Sequence, residues 1–267
     1  NFDLLADFAE PLPVRVIADL LGVSPEDEVH LRPWSQAIVK MYEFGVTPAE
    51  EKAAETASSE FAVMITEMVE SRKKNPTNDL VSELAQVEEA GEKLTLRELI
   101  ATCVLLLNAG HEASVNAFGN GFVAAMNDAD SRALLSSQPR ANVATAVEEF
   151  FRFDAPLQLF ERTAMEQTEI NGVTIEKGLK IAALLGSANR DETVFENAHI
   201  FNLERSANNH ISFGGGIHFC LGAPLARLEL GISLPALFER FPTIEVTEDP
   251  RRRESFVLRG FEKILCR

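Results

Sequence analysis

Up to Pro156 the apolar positions recur every three or four residues, the spacing of one helix face after another. "PLPVRVIADLLGV" (Pro11–Val23) carries Pro near its start and Gly22 near its end, the usual helix asymmetry. "SPEDEVHLRPWSQAIVKMYEF" (Ser24–Phe44) opens on Ser24, Pro25 and acidic residues and predicts a second helix. Thr47–Asn75 is long and amphipathic, acidic at its start and basic at its end, which suits the helix dipole. Asp79–Leu94 predicts a short helix and a turn. Thr95–Asp128 is apolar nearly all round at its middle, so it should run buried through the core. Asn142–Pro156 predicts one more helix, stopped before Pro156.

Beyond Pro156 the period changes. Residues 161–186 alternate, with Asn171-Gly172 between two short runs, a hairpin signature. Residues 187–210 are polar and irregular and read as a long loop. A glycine-rich stretch follows, then a helix over 223–241, then short strands to the end. The fold class is mainly α with a small β portion. Residues 1–267 read as one unit, mostly helical over 1–156 and rich in strand and loop over 157–267.

Composition narrows the functions. The net charge of −16 disfavours nucleic acid and anionic membrane surfaces, and the basic run Arg251–Arg253 reads as a solvated turn. No signal peptide or membrane-spanning run is visible. Cys103, Cys220 and Cys266 are too scattered for a disulfide framework or a paired zinc site, which points to a reducing, cytoplasmic setting. The chain opens on Asn1 without an initiator Met and is expected to be a piece of a longer protein.

The candidate chemistry centres on "FGGGIHFCLG" (Phe213–Gly222). Three successive glycines cost conformational entropy that packing does not demand. Alone, Cys220 would be a small buried hydrophobe. Its neighbours suggest otherwise, because Gly214–Gly216 allow tight turns beside a flat ligand, and Gly222-Ala223-Pro224 begins a helix. A helix amino terminus stabilises a thiolate, the ligand form of Cys. One thiolate without a second Cys or His at zinc spacing suggests a metal whose other ligands are not protein, and haem iron fits.

"FGGGIHFCLGAPLAR" resembles the haem-binding pattern Phe-x-x-Gly-x-x-x-Cys-x-Gly of the cytochrome P450 family, in its soluble bacterial branch. The resemblance runs from "PLPVRVIADLLGV" to "FVLRGFEKIL" and implies the P450 fold lacking its N-terminal part. It implies haem b held by Cys220 as iron ligand, with Phe213 shielding the sulfur and His218 on a haem propionate. Gly214, Gly216, Gly222 and Ala226 then belong to the cofactor loop and the helix after it, and Arg162 matches the arginine that reaches a haem propionate. Glu149 and Arg152, an ordinary surface pair if taken alone, become with Arg205 a buried triad for folding and haem retention.

In "NAGHEAS" (Asn108–Ser114), His111 and Glu112 would be costly to bury, and Gly110 weakens a helix by about 1 kcal/mol. The resemblance implies that this segment crosses the distal haem face. Ala109 and Gly110 then make room for dioxygen, and Glu112 delivers protons. The Thr usual to the family is Ala113 here, with Ser114 beside it.

The implied activity is a monooxygenase that inserts one atom of O2 into a small apolar organic substrate. Its electrons would come from a ferredoxin-type donor with its reductase. Leu106, Ala109, Leu157, Gln158, Val257 and Leu258 are the candidate substrate contacts. A peroxide-using haem-thiolate enzyme, favoured by Ala113, and a haem-binding protein without turnover are the alternatives. "GNGFVA" (Gly119–Ala124) lies inside a helix and is no dinucleotide loop, and "HEASV" lacks the second His of a zinc protease.

Overall fold

The computed structural model describes residues 1–86, 88–89 and 92–267. Its helical part runs α1 (Pro11–Leu21), α2 (Glu28–Val39), α3 (Pro48–Lys74), α4 (Leu80–Leu84), α5 (Leu96–Asn127), α6 (Ala129–Ser137) and α7 (Val143–Phe153). The long helices start where local chemistry says they should. Thr47 and Glu50 exchange side chain and backbone bonds at the start of α3, and Thr95 and Glu98 do the same for α5.

Two of the expected helices are shorter than their patterns. Over Ser24–Phe44 the helix is only Glu28–Val39, because the Ser24 carbonyl folds a turn by accepting from Asp27 and Glu28 (3.1 and 3.0 Å). At its other end a tight turn over Lys40–Tyr42 leads into extended backbone at Glu43. In Asp79–Leu94 the helix stops at Leu84, and the turn expected at Ala90-Gly91 lies outside the described residues.

The strands are short and antiparallel, beginning with β1 (Phe2–Asp3), β2 (Glu88–Glu89) and β3 (Glu92–Lys93). The expected hairpin forms between β5 (Thr168–Ile170) and β6 (Val173–Ile175), with Ile170 opposite Val173 and both turn residues at positive φ. Around it β4 (Phe160–Thr163) pairs with β7 (Lys180–Ala183). A short helix α8 (Leu185–Ala188) opens the irregular stretch, and α9 (Ala223–Arg240) follows the glycine loop. Toward the end the expected strands reduce to Leu265–Cys266, paired with Phe2–Asp3, and isolated bridges, among the described residues.

Two apolar cores are both built on α5. Leu99, Cys103 and Leu107 join α1, α2 and α3 through Ile17, Leu21, Leu31, Phe61 and Ile65. Val115, Phe118 and Phe122 join α7 and α9 through Phe150, Leu234 and Phe238. The stretch of α5 between them, residues 108–114, belongs to neither and holds four buried polar residues: Asn108, His111, Glu112 and Ser114.

Candidate functional site

Cys220 stands apart from the other two cysteines. Cys103 and Cys266 are buried, and burial pushes each thiol up to about 11, whereas Cys220 is exposed. Its amide donates to the Phe213 carbonyl at 2.9 Å, closing the glycine loop into a ring. Two residues on, Gly222 caps α9, and the Ala223 amide donates to the Cys220 carbonyl at 3.3 Å, so the thiol stands at a helix start.

Gly214 and Gly216 have φ of +70° and +64°, a conformation that side chains with a Cβ avoid. Gly222, the last glycine of the loop, needs no such freedom. Its φ is an ordinary −80°, and a Cβ there would meet only the Cys220 sulfur, at 3.8 Å.

The rim of the loop is apolar and turned outward: Ile217 is 96% exposed, Leu221 89% and Phe219 51%. On α5, Leu105 (58% exposed) and Ala109 present a further apolar row, continued by the half-buried Ala113. No cluster of His, Cys, Asp and Glu able to hold a metal ion occurs among the described residues. A metal at Cys220 must therefore bring its remaining ligands with it. A glycine platform, one exposed thiol and an outward apolar rim fit a flat apolar metal complex such as haem.

Below the loop Phe213 is buried, its ring centre 4.6 Å from that of Phe151 and the two planes tilted by 51°. The Arg227 guanidinium lies 4.5 Å from the Phe213 ring centre. It donates twice to Glu148, at 2.6 and 2.8 Å, and His210 meets the same carboxylate at 3.0 Å. Burial pushes Glu148 up, but the bonds from Arg227 and His210 outweigh it and bring the carboxyl down to about 2. The pKa of Arg227 rises, first through its bond to Glu148 and further through the charges of Glu148 and Cys220.

The expected triad is assembled. Glu149 and Arg152 are fully buried and bonded at 2.7 Å, and Arg205 Nε reaches Glu149 at 3.2 Å. The remaining donors of Arg152 go to the carbonyls of Asn189, Ala198 and Ile200, so the buried charges are fully engaged. Arg162, on β4, is exposed, bonds to the Glu161 carbonyl and lies over Phe160. His218 is exposed on the loop's last turn, and Ala226 is half-buried against the core of α7 and α9.

On α5 several side chains lie elsewhere than expected. The missing side chain of Gly110 faces α1, where a Cβ would approach Ile17 Cδ1 to 2.6 Å, so any larger residue must push the tip of Ile17 aside. Leu106 packs on the α1–α3 core, while Leu105, one turn before Ala109, takes the exposed face. Glu112 is buried and held by Arg253 at 2.8 Å. Arg253 also reaches Glu10, which Arg32 contacts in turn. Burial pushes the Glu10 carboxyl up against the pull of those two arginines.

Arg252 bonds to Asn120 and Asp154. Arg252 and Arg253 are therefore half-buried ties to α5 and the end of α7, whereas Arg251 stays exposed as a solvated turn would have it. His111 is buried, burial pushes its pKa down, and neither ring nitrogen meets a partner among the described residues.

Sequence reasoning missed Glu229. This carboxyl on α9 is 6% exposed, and burial raises its pKa to about 7 against the lowering effect of a bond from Ser114 on α5. Its position nine residues after Cys220, among apolar neighbours, was the available signal. The candidate substrate contacts do converge in part. Gln158 donates to the Val257 carbonyl at 2.9 Å, and Leu157 bridges Leu258.

The sequence profile of the Cytochrome P450 family matches residues 142–264. The polyketide biosynthesis cytochrome P450 PksS of Bacillus subtilis is 41% identical over 98% of this chain and 64% of its own length. The 6-deoxyerythronolide B hydroxylase of Saccharopolyspora erythraea is 37% identical over 99% of this chain and 65% of its own length. The crystal structure of P450BioI with a hexadec-9Z-enoic acid ligated acyl carrier protein superposes with a TM-score of 0.93. It is 35% identical and covers 98% of this chain and 68% of that one. The chain thus spans a little under two thirds of the curated relatives PksS and 6-deoxyerythronolide B hydroxylase.

Proposed function

The chain belongs to the cytochrome P450 family, whose cofactor is haem b, and on that premise we propose that it carries the haem-thiolate half of a monooxygenase. The observation that carries the reading is Cys220: an exposed thiol on a glycine platform at a helix start, ringed by outward apolar side chains. When bound, haem supplies dioxygen activation and oxygen insertion into an unactivated C–H bond, with thiolate donation favouring O–O cleavage.

The rest is work for this chain's own residues. Cys220 would ligate the metal, and Phe213 would shield the sulfur. Arg227 adds a cation beside the thiolate without neutralising it, because its own hydrogen bonds go to Glu148. His218 and Arg162 are assigned to the propionates, and Glu149, Arg152 and Arg205 hold the loop ahead of the cysteine. Leu105, Ala109, Leu157, Val257 and Leu258 offer an apolar wall with Gln158 as its polar member, suited to an organic substrate such as a polyketide or an acyl chain.

Protons need a donor near α5. Ala113 brings only a methyl group there, which neither donates nor accepts. Glu229, buried on α9, has its carboxyl pushed up to about 7 by burial and one carboxylate oxygen without a partner among the described residues, so it can store a proton where α5 meets α9. Glu112, paired with Arg253, must release that partner before it serves as a donor. Electrons come from an external donor of ferredoxin type, and the setting is cytoplasmic. Among the described residues no helix is long and apolar enough to cross a membrane. Ala113 favours one rival, peroxide-driven turnover, and the ratio of electrons consumed to product formed separates the two.

The test is spectroscopic. The full-length protein, reduced under carbon monoxide, is expected to show the strongly red-shifted Soret band of thiolate-ligated haem. Cys220→Ala should abolish that band while leaving Cys103 and Cys266 intact. A variant that keeps the band would remove Cys220 from the metal.

A further inference from the structure

The corner between α2 and α3 is fastened to the far end of the chain through one side chain. Glu43 Oε2 accepts from the amides of Phe256 and Val257 at 2.8 and 2.9 Å, and Oε1 accepts from Leu258 at 2.8 Å. Three successive backbone donors thus converge on one carboxylate across 213 to 215 residues of chain. Bonds from N–H groups to an ionised acceptor are the strong kind, and a carboxylate has the lone pairs to accept all three. Phe44 adds an aromatic contact to Phe256, with ring centres 6.3 Å apart.

The gripped segment is the one that bears Val257 and Leu258. Its opposite side is already engaged, since the Val257 carbonyl accepts from Gln158 and the Pro156 carbonyl accepts from Arg259. Residues 256–258 are thereby clamped between the 156–158 segment and Glu43. The fastener joins parts anchored in different cores: α2 and α3 belong to the one shared with α1, whereas 261–264 packs with α7 and α9. Beside the grip, Met41, Tyr42 and Phe44 are 45%, 47% and 63% exposed, so the corner has few other buried contacts to hold it down.

We infer that Glu43 is a positioning residue that latches the α2–α3 corner onto the 256–258 wall, and that bulky ligands pass only when this latch opens. The latch sets the rigidity of the wall carrying Val257 and Leu258. Its role in ligand passage rests on the reading that this wall lines the substrate pocket. Ligands small enough to slip past the corner do not require its release.

The experiment uses the full-length, haem-loaded protein as wild type, Glu43→Gln and Glu43→Ala, with two measurements. Amide hydrogen exchange at Phe256–Leu258 should accelerate at least about tenfold in Glu43→Ala, and by less in Glu43→Gln, which keeps one accepting oxygen. Unchanged exchange at those amides overturns the latch, whatever the haem does. Stopped-flow binding, read from the Soret band, then compares imidazole with 4-phenylimidazole. Glu43→Ala should speed both entry and exit of the bulky azole several-fold and leave imidazole unchanged. Equal rates for wild type and variant with 4-phenylimidazole, despite faster exchange, overturn the passage role. A wild type without the red-shifted carbon monoxide band would count against the haem-thiolate reading alone, because the exchange measurement still decides the latch.

Discussion

Glu229 and Glu148 show how two carboxyls near the same cysteine loop are driven in opposite directions. Glu229 is buried with one carboxylate oxygen unpartnered among the described residues, so burial wins and its pKa rises to about 7. Glu148 suffers burial too, but Arg227 and His210 overcome it and take the carboxyl down to about 2. The consequences for stability have opposite signs. Folding binds the Glu229 proton more tightly than the unfolded chain does. That stabilisation is fully present below about pH 4.5 and is lost as pH rises through about 7. Glu148 stabilises above about pH 4.5, and its contribution is lost as pH falls through about 2. At roughly 1.4 kcal/mol per unit, ionising Glu229 costs the fold about 3 kcal/mol. Urea unfolding at pH 5, 6.5 and 8 should therefore show the Glu229→Gln variant losing about 3 kcal/mol less than wild type over that range. Parallel curves for the two proteins would mean that Glu229 ionises freely in the fold.

At the scale of elements, α5 does two jobs along one axis. Its first turns seal the α1–α3 core and its last turns seal the α7–α9 core, leaving residues 108–114 as a polar joint between them. Gly110 sits in that joint because α1 comes close enough to place Ile17 where a Cβ would be. Gly110→Ala is expected to overpack this crossing and cost about 1–3 kcal/mol of stability. Ile17→Val shortens the opposing side chain and should recover part of that loss in the double variant, a coupling measurable by thermal or denaturant melts. If the glycine served only a bound ligand, Gly110→Ala would leave the melt of the haem-free protein unchanged and alter ligand binding alone.

For the whole molecule, the exposed apolar rim is the dominant liability. Ile217 and Leu221 on the loop are 96% and 89% exposed, and Leu105 on α5 is 58% exposed, large apolar side chains that water-facing surfaces seldom gather without a partner. Haem would cover part of it. The 267-residue chain is expected to bind the dye ANS strongly, to associate in light scattering, and to lose dye fluorescence as haemin is added. In Cys220→Ala, haemin should displace the dye more weakly, since apolar contact remains but ligation does not. Dye binding that ignores haemin would place the cofactor surface elsewhere.

What local chemistry dictates was readable from the sequence alone. The Asn171-Gly172 turn, the caps at Thr47 and Thr95 and the glycine loop around Cys220 all act within a few residues, so their spacing is their signature. The triad of Glu149, Arg152 and Arg205 was legible only through family resemblance, because its third member lies 56 residues from the first. The tertiary structure alone put Arg253 on Glu112 across 141 residues and Glu43 on Leu258 across 215. It alone turned Leu105 rather than Leu106 to the open face, and it set Ile17 against Gly110. A periodic pattern states which residues share a helix face. Which neighbour that face meets depends on how the cores assemble, and a distant partner leaves no mark in the spacing.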